Sequence, residues 1–194
     1  LAPYRLVLQR IQRYKPHTLS DAEEKLLAMQ SEMSDASNRI FRQLNDADLK
    51  FGMVKDETGA EIELSHSSFS ALLHSPKRDV RKAAFHQYYD VFGAHENTLA
   101  ATLGGSVQRD VYYAKARGYE SARAAALFPD NVPVAVYDNL IAEVRRRLPA
   151  LYRYLDLRRR KMKLKEIRQY DTYVPILSDL DQSRTWKQAV EAVI

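Results

Sequence analysis

The 194 residues carry 30 Lys and Arg against 25 Asp and Glu, a net charge of +5, and no cysteine. Disulfides and thiolate metal sites are thereby excluded, and a reducing, cytoplasmic setting fits the composition. No apolar run nears the ~20 residues of a membrane-spanning helix, and the start does not read as a signal peptide, so no membrane partner is expected. Only six Gly and seven Pro, among abundant Ala, Leu, Arg, Lys and Glu, favour a mainly α fold class: a multi-helical array.

In chain order, Tyr4, Val7, Leu8, Ile11 and Tyr14 form an apolar helical stripe already under way at a chain that begins with Leu1. Ser20 with Glu23 reads as a capping box that opens a helix running to about Met33. Ser34 or Asp35 then caps a helix that carries Ile40, Phe41 and Leu44 inward and ends near Asn45. From Leu49 the period changes to two: Leu49, Phe51 and Met53, then turn chemistry from Asp56 to Gly59, then Ile62 and Leu64. That pattern predicts one short β-hairpin, which must lean on helices because a lone hairpin is marginal in water. A short helix from Ser65 turns Phe69, Leu72 and Leu73 inward.

The stretch from Ser75 to Phe128 organises the rest. Val80, Ala84, Tyr88, Val91, Phe92, Leu99, Leu103, Val107 and Val111 recur at steps of three and four, which predicts one very long helix, or two nearly in line. Ser75-Pro76 suits its start, and Gly118 after Lys115 and Arg117 suits its stop. Gly93, Gly104 and Gly105 weaken its interior, which points to a bend, to a neighbouring helix passing close, or to backbone that meets a ligand. A short Ala-rich helix follows from Ser121 to Phe128. Asn131 and Pro133 open the next, whose Val136, Leu140, Val144, Leu148, Leu151 and Leu155 face one way, with a kink expected at Pro149. After the irregular QYDTYVPIL, the final stripe of Trp186, Ala189, Val190, Val193 and Ile194 stops without a cap. Both ends read as cut inside helices, so the expectation is a piece of a longer protein.

Little in the chain carries chemistry by itself. Among His17, His66, His74, His86 and His95, no two have the i, i+4 spacing of a zinc-binding helix; the nearest miss is His95-Glu96-Asn97-Thr98-Leu99. Between Tyr137 and Arg168 there are eleven Lys or Arg and four Asp or Glu, so the excess positive charge is local. Arg145 to Arg147 and Arg158 to Lys165, interleaved with Tyr152 and Tyr154, would suit a phosphate backbone or an acidic partner. They would equally suit a solvated face whose long stems cover apolar surface. Tyr170, Asp171, Tyr173 and Pro175 form a polar-aromatic cluster: Asp171 capping or pairing with an Arg and buried tyrosine rings, or the rim of a groove.

Several blocks of residues occur in one order along nearly the whole chain. They are His17 to Ser20 with Glu23-Glu24; Asn45, Ala47, Asp48 and Phe51; Arg78, Val80, Arg81 and Phe85; and Asn97-Thr98 with Ala100. They continue with Asp110, Ala114, Arg117-Gly118-Tyr119 and Ser121; Val132-Pro133, Tyr137-Asp138 and Leu140-Ile141; then Tyr170-Asp171, Tyr173 and Pro175. In these blocks the chain resembles the oligoendopeptidase F group of the thimet-oligopeptidase-like (M3) zinc peptidases. The resemblance implies a helical shell around a groove that admits oligopeptides, with zinc held by an H-E-x-x-H helix and a later Glu. None of those residues lies in this chain; the zinc motif is expected beyond Ile194. No catalytic, cofactor-binding or metal-ligating residue is therefore assigned. Residues 1-74 resemble the group's N-terminal domain and 75-194 the first helices of its peptidase domain. The implied role is a non-catalytic part of a zinc oligoendopeptidase, partnered by oligopeptides and by the rest of its own peptidase domain. The alternatives are a non-enzymatic module that binds nucleic acid or an acidic partner through the basic helix 145-165, and a helical scaffold for protein contacts.

Overall fold

In the computed structural model, residues 2–177 and 185–193 are described, and they form ten α-helices and one two-stranded sheet. The chain folds as two compact units, each assembled from two stretches of sequence: Leu1–Phe51 with Tyr89–Leu148, and Gly52–Tyr88 with Pro149–Ile194.

The first unit begins with α1 (Arg5–Arg13), α2 (Asp21–Met29), α3 (Ser31–Ser34) and α4 (Ala36–Gln43). The Ser20 capping box forms as expected, with Ser20 N donating to Glu23 Oε2 at 3.0 Å. The helix it opens is interrupted at Gln30, short of the expected Met33. Asp35 sits at the N-cap of α4 without capping it, because its carboxylate accepts instead from Asn38 (2.9 Å) and Arg109 (3.3 Å). Ile40 and Phe41, expected to face inward, are exposed. A π turn, Leu44–Asp48, ends this stretch and leads to the buried Leu49 and Phe51.

Of the two forms expected for this stretch, the single very long helix is not found and two helices are. Here α6 (Arg78–Ala94) passes from the second unit into the first, and α7 (Glu96–Ala116) follows it. The break at His95 has a local cause. The His95 ring donates from Nδ1 to Val91 O at 2.8 Å, taking the carbonyl that its own amide would use in a continuous helix. The amide turns to Phe92 O instead, at 3.0 Å. Gly118 ends α7 as expected: its φ is +68°, Tyr119 N reaches Ala114 O at 2.8 Å, and Gly118 N reaches Lys115 O at 3.1 Å, the paired bonds of a Schellman cap. Two helices complete the unit's order: α8 (Ala122–Leu127), capped by Ser121 Oγ, and the first half of α9 (Val134–Lys161). At 28 residues α9 is the longest described helix, and it continues through Pro149. Asn131, expected as its cap, takes a left-handed turn (φ 56°) instead.

Seating of α4 against α7 explains one of the weak glycines. A Cβ on Gly105 would lie 2.1 Å from Ser37 Oγ and 3.2 Å from Ser37 Cβ, so the missing side chain is what lets the helices approach. Gly93 and Gly104 meet nothing within 4 Å.

The second unit holds β1 (Met53–Lys55) and β2 (Glu61–Glu63), antiparallel with Val54 opposite Ile62. The expected alternation slips by one residue. Gly52 adopts φ +76°, so that Val54 rather than Met53 turns inward, while Leu64 is buried as expected. The turn is pinned by the Asp56 carboxylate, which accepts from the amides of Thr58 and Ala60. In α5 (His66–Leu72), Leu72 is buried, and Leu73 follows it inside. The helix then expected from Ser75-Pro76 starts at Arg78, because Ser75 N closes a turn on Leu72 O and Ser75 Oγ accepts from Lys77 N. The second half of α9 and the irregular run 162–177 complete this core. The last helix, α10 (Trp186–Val193), exposes Trp186, while the side chains of Val193 and Ile194 lie outside the described residues.

Candidate functional site

The most constrained polar site is in the second unit, around Asp171. Its carboxylate is 0 % exposed, so every lone pair must find a donor. Arg81, 2 % exposed on α6, supplies Nη2 to Oδ1 at 2.9 Å. Arg78, one turn earlier on the same face, supplies Nε at 3.0 Å to Oδ1 and Nη2 at 2.9 Å to Oδ2. The Arg168 amide donates to Oδ2 at 2.9 Å. Burial pushes the Asp171 carboxyl up, but the bonds from Arg78, the Arg168 amide and Arg81 outweigh it and hold the group below the ordinary carboxylate range.

Around this carboxylate most of the remaining arginine donors meet backbone, while the buried Arg158 Nε finds no partner. Arg81 also reaches Tyr170 O (2.9 Å) and Ser75 O (2.8 Å). The buried Arg158 of α9 donates to Asp171 O (3.0 Å) and Val174 O (2.6 Å). The Tyr170 ring is buried beneath Arg78 and against Phe85, whereas Tyr173 is exposed beside His74. Asp171 is expected to cap or to pair with an Arg, and the one carboxylate does both. Arg78 and Arg81 as its partners were not anticipated. The signal was present: two arginines three apart flank Val80, which puts charge on a face otherwise reserved for the core.

A second polar knot lies in the first unit. Arg117 grips Glu24 with two parallel bonds, at 2.7 and 2.8 Å, and this together with the Leu19 amide holds the Glu24 carboxyl below its ordinary value. His17 donates from Nδ1 to Arg117 O at 2.9 Å, and its ring stacks on Tyr119 at 3.7 Å. Both knots spend their charged groups on holding loops to helices.

The basic segment is less free than its sequence suggests. Arg146 pairs with Glu143, and Arg159 and Arg160 both pair with Asp156. Arg158 is in the core. Tyr152 and Tyr154 are exposed, but Tyr154 OH accepts from Arg158. Arg158 to Arg160 therefore present no continuous cationic edge to a phosphate chain.

The residues present do not fit a zinc site. Among the described residues no group of three or more His, Asp or Glu converges on a point a metal could occupy. His74 and His95 each turn Nδ1 to the carbonyl four residues back, and His66 Nδ1 meets Tyr88 OH at 2.5 Å. No helix is long and apolar enough to cross a membrane among the described residues.

Of the openings in the first unit, one beside Arg10, Arg13 and Asp130 is polar and another is apolar. Leu103 (67 % exposed) on α7 stands beside Phe41 (42 %) on α4, over a groove of about 360 Å³ that Leu99 and Thr102 also line, and Val107 (54 %) continues the same four-residue spacing along α7.

Comparison with known proteins finds two matching family profiles: Oligopeptidase F over residues 1–51, and Peptidase family M3 over residues 71–191. The chain is similar to oligopeptidase PepF of Bacillus subtilis (strain 168), 40% identical over 191 residues, which is 98% of this chain and 28% of that protein. It is also similar to group B oligopeptidase PepB of Streptococcus agalactiae serotype III (strain NEM316), 38% identical over 98% of this chain and 32% of that protein. Among solved structures, oligoendopeptidase-F from Enterococcus faecium superposes with a TM-score of 0.91 at 39% identity, covering 100% of this chain and 37% of that one. The chain thus spans about a third, or less, of the curated relatives it matches.

Proposed function

The chain belongs to peptidase family M3, and from that premise we propose that it is a non-catalytic, N-terminal portion of a cytoplasmic, zinc-dependent oligoendopeptidase. On this reading its helices build walls of a groove for short peptides. The zinc ligands and the catalytic Glu are supplied by other parts of the polypeptide. The observation that carries the reading is alignment of 98% of the chain, at 40% identity, with an oligopeptidase. The buried charges of Asp171 and Arg81 are spent on each other and on neighbouring backbone. The proposed boundary near His74 falls three residues inside the second matched stretch, which begins at 71, while the first ends at 51.

The nucleic-acid alternative is weakened at Arg158, which is buried, and at Arg159 and Arg160, which pair with Asp156, while Arg145, Arg147 and Arg153 stay exposed. The scaffold reading retains one observation, the exposed apolar edge of α7.

The test uses the complete protein that carries this sequence. It is expected to cut an internally quenched peptide of about ten residues, to leave a folded protein intact, to lose activity to a chelator and to regain it with zinc. The 194-residue chain alone is expected to cut nothing and to retain no stoichiometric zinc. A complete protein that leaves such peptides whole, with its metal content verified, would falsify the proposal.

A further inference from the structure

We propose that the groove between α4 and α7 is the seat of an amphipathic helix contributed by the remainder of the same polypeptide. The proposal rests on the reading above that this chain is a portion of a longer M3 peptidase, and it names one of the contacts that the portion makes.

Three observations on one surface carry it. The first is shape. Leu99, Leu103 and Val107 are spaced by four, so they form one ridge along α7, with Phe41 of α4 as the facing wall. A four-spaced ridge beside a groove is what a further helix packs into. The second is chemistry. Two of the polar side chains at the groove are already engaged: Thr102 Oγ1 donates to Leu99 O at 2.9 Å, and Asn38 Nδ2 donates to Asp35 at 2.9 Å. Ser37 and Ser106 complete the lining beside Phe41, Leu99 and Leu103. An occupant therefore needs chiefly apolar side chains, with a small polar group admitted only beside the serines. Both walls are helices whose backbone groups bond within themselves, so an extended peptide would find no edge on which to satisfy its amides. A helix brings its own backbone bonds. The third is supply. The relatives are about three times as long as this chain, which covers 28% and 32% of them, so most of such a protein is available to furnish the occupant. Leu103 at 67 % and Val107 at 54 % exposure are the apolar area it would cover.

The chain has no cysteine, which makes a single introduced thiol a clean reporter. In the complete protein, with any cysteine elsewhere replaced by serine, Leu103→Cys is labelled with a maleimide in native buffer and in denaturant; Val107→Cys is the second variant should the first fail to fold. Native labelling slower than denatured labelling by about tenfold or more, without added peptide, is the expected result. A smaller ratio means that the groove is open in the complete protein, and overturns the proposal. Protection that arises only when an oligopeptide is added makes the substrate the occupant. Protection that fades on dilution to nanomolar protein makes a second copy the occupant. Either result overturns the proposal as well. Peptidase activity of the same preparation is measured separately, so failure here is distinct from failure of the functional reading.

Discussion

The Asp171 knot and the α4–α7 groove treat exposure in opposite ways. Around Asp171 a fully buried charge has all its partners within the chain, from Arg78, Arg81 and the Arg168 amide. Along α7, large apolar side chains stand in solvent with nothing over them. The asymmetry follows from the energetics of the two kinds of group. A buried polar group left unsatisfied costs about 1–3 kcal/mol, and a charge costs more, so a charge is buried only where its partners fold with it. An uncovered apolar side chain forgoes stabilisation but strains nothing, so it can wait for a neighbour from elsewhere. The knots show what this stretch settles for itself, and the ridge is apolar surface that it leaves uncovered.

The largest expected effect comes from breaking the knot. Asp171→Asn leaves Arg81 buried without a counter-charge and turns an amide N–H toward the donors of Arg78 and Arg168. Removal of one partner of a buried pair costs about 3–5 kcal/mol, so the urea midpoint at neutral pH should fall by that equivalent. The pH dependence follows from the depressed Asp171 carboxyl. Its folded value lies below its unfolded one, so its contribution is complete above the ordinary carboxylate range and is lost as pH falls through the folded value. The parent should therefore lose stability on acidification more steeply than the Asn variant. Parallel pH profiles for the two would show that the pair does not set acid stability.

Much of this was legible in advance, for reasons that differ by element. The Ser20 box and the Gly118 stop rest on contacts within five residues, and they form as the sequence implies. The resemblance blocks hold the key members of both knots: His17, Glu24, Arg117 and Tyr119 in one, Arg78, Arg81, Tyr170 and Asp171 in the other. What escaped was decided at longer range or by a single competing bond. The apolar period continues across residue 95 and so leaves one helix or two open; the His95 imidazole on Val91 O marks where the division falls. The β alternation slips because Gly52 takes a positive φ that no periodicity announces. Ile40 and Phe41 were assigned inward because an apolar stripe is normally covered. In this chain it is not.

A smaller effect sharpens the other side of the comparison. Gly105→Ala drives a methyl toward Ser37 Oγ at 2.1 Å; the hydroxyl can rotate away, but Ser37 Cβ at 3.2 Å requires the helices to part slightly. Overpacking of this kind costs ~1–3 kcal/mol, partly offset by the better helix propensity of Ala. A net loss of about 1 kcal/mol in thermal unfolding is expected, shrinking in a Ser37→Ala background where the hydroxyl is gone. Loss of the same size in both backgrounds would place the strain elsewhere.

The adjacent Gly104 gives the smallest effect and the finest discrimination. A Cβ there meets nothing within 4 Å in this chain, so Gly104→Ala should stabilise the 194-residue chain by about 1 kcal/mol through helix propensity alone. The complete protein offers the contrast. If the gain persists there, the helix remains open at this position after every other segment has packed. If the gain vanishes or reverses, some segment supplied from elsewhere has come within contact distance of α7 one residue beyond Leu103. Unfolding midpoints of the pair of variants in both contexts therefore measure, to within a methyl group, where along α7 the missing cover begins.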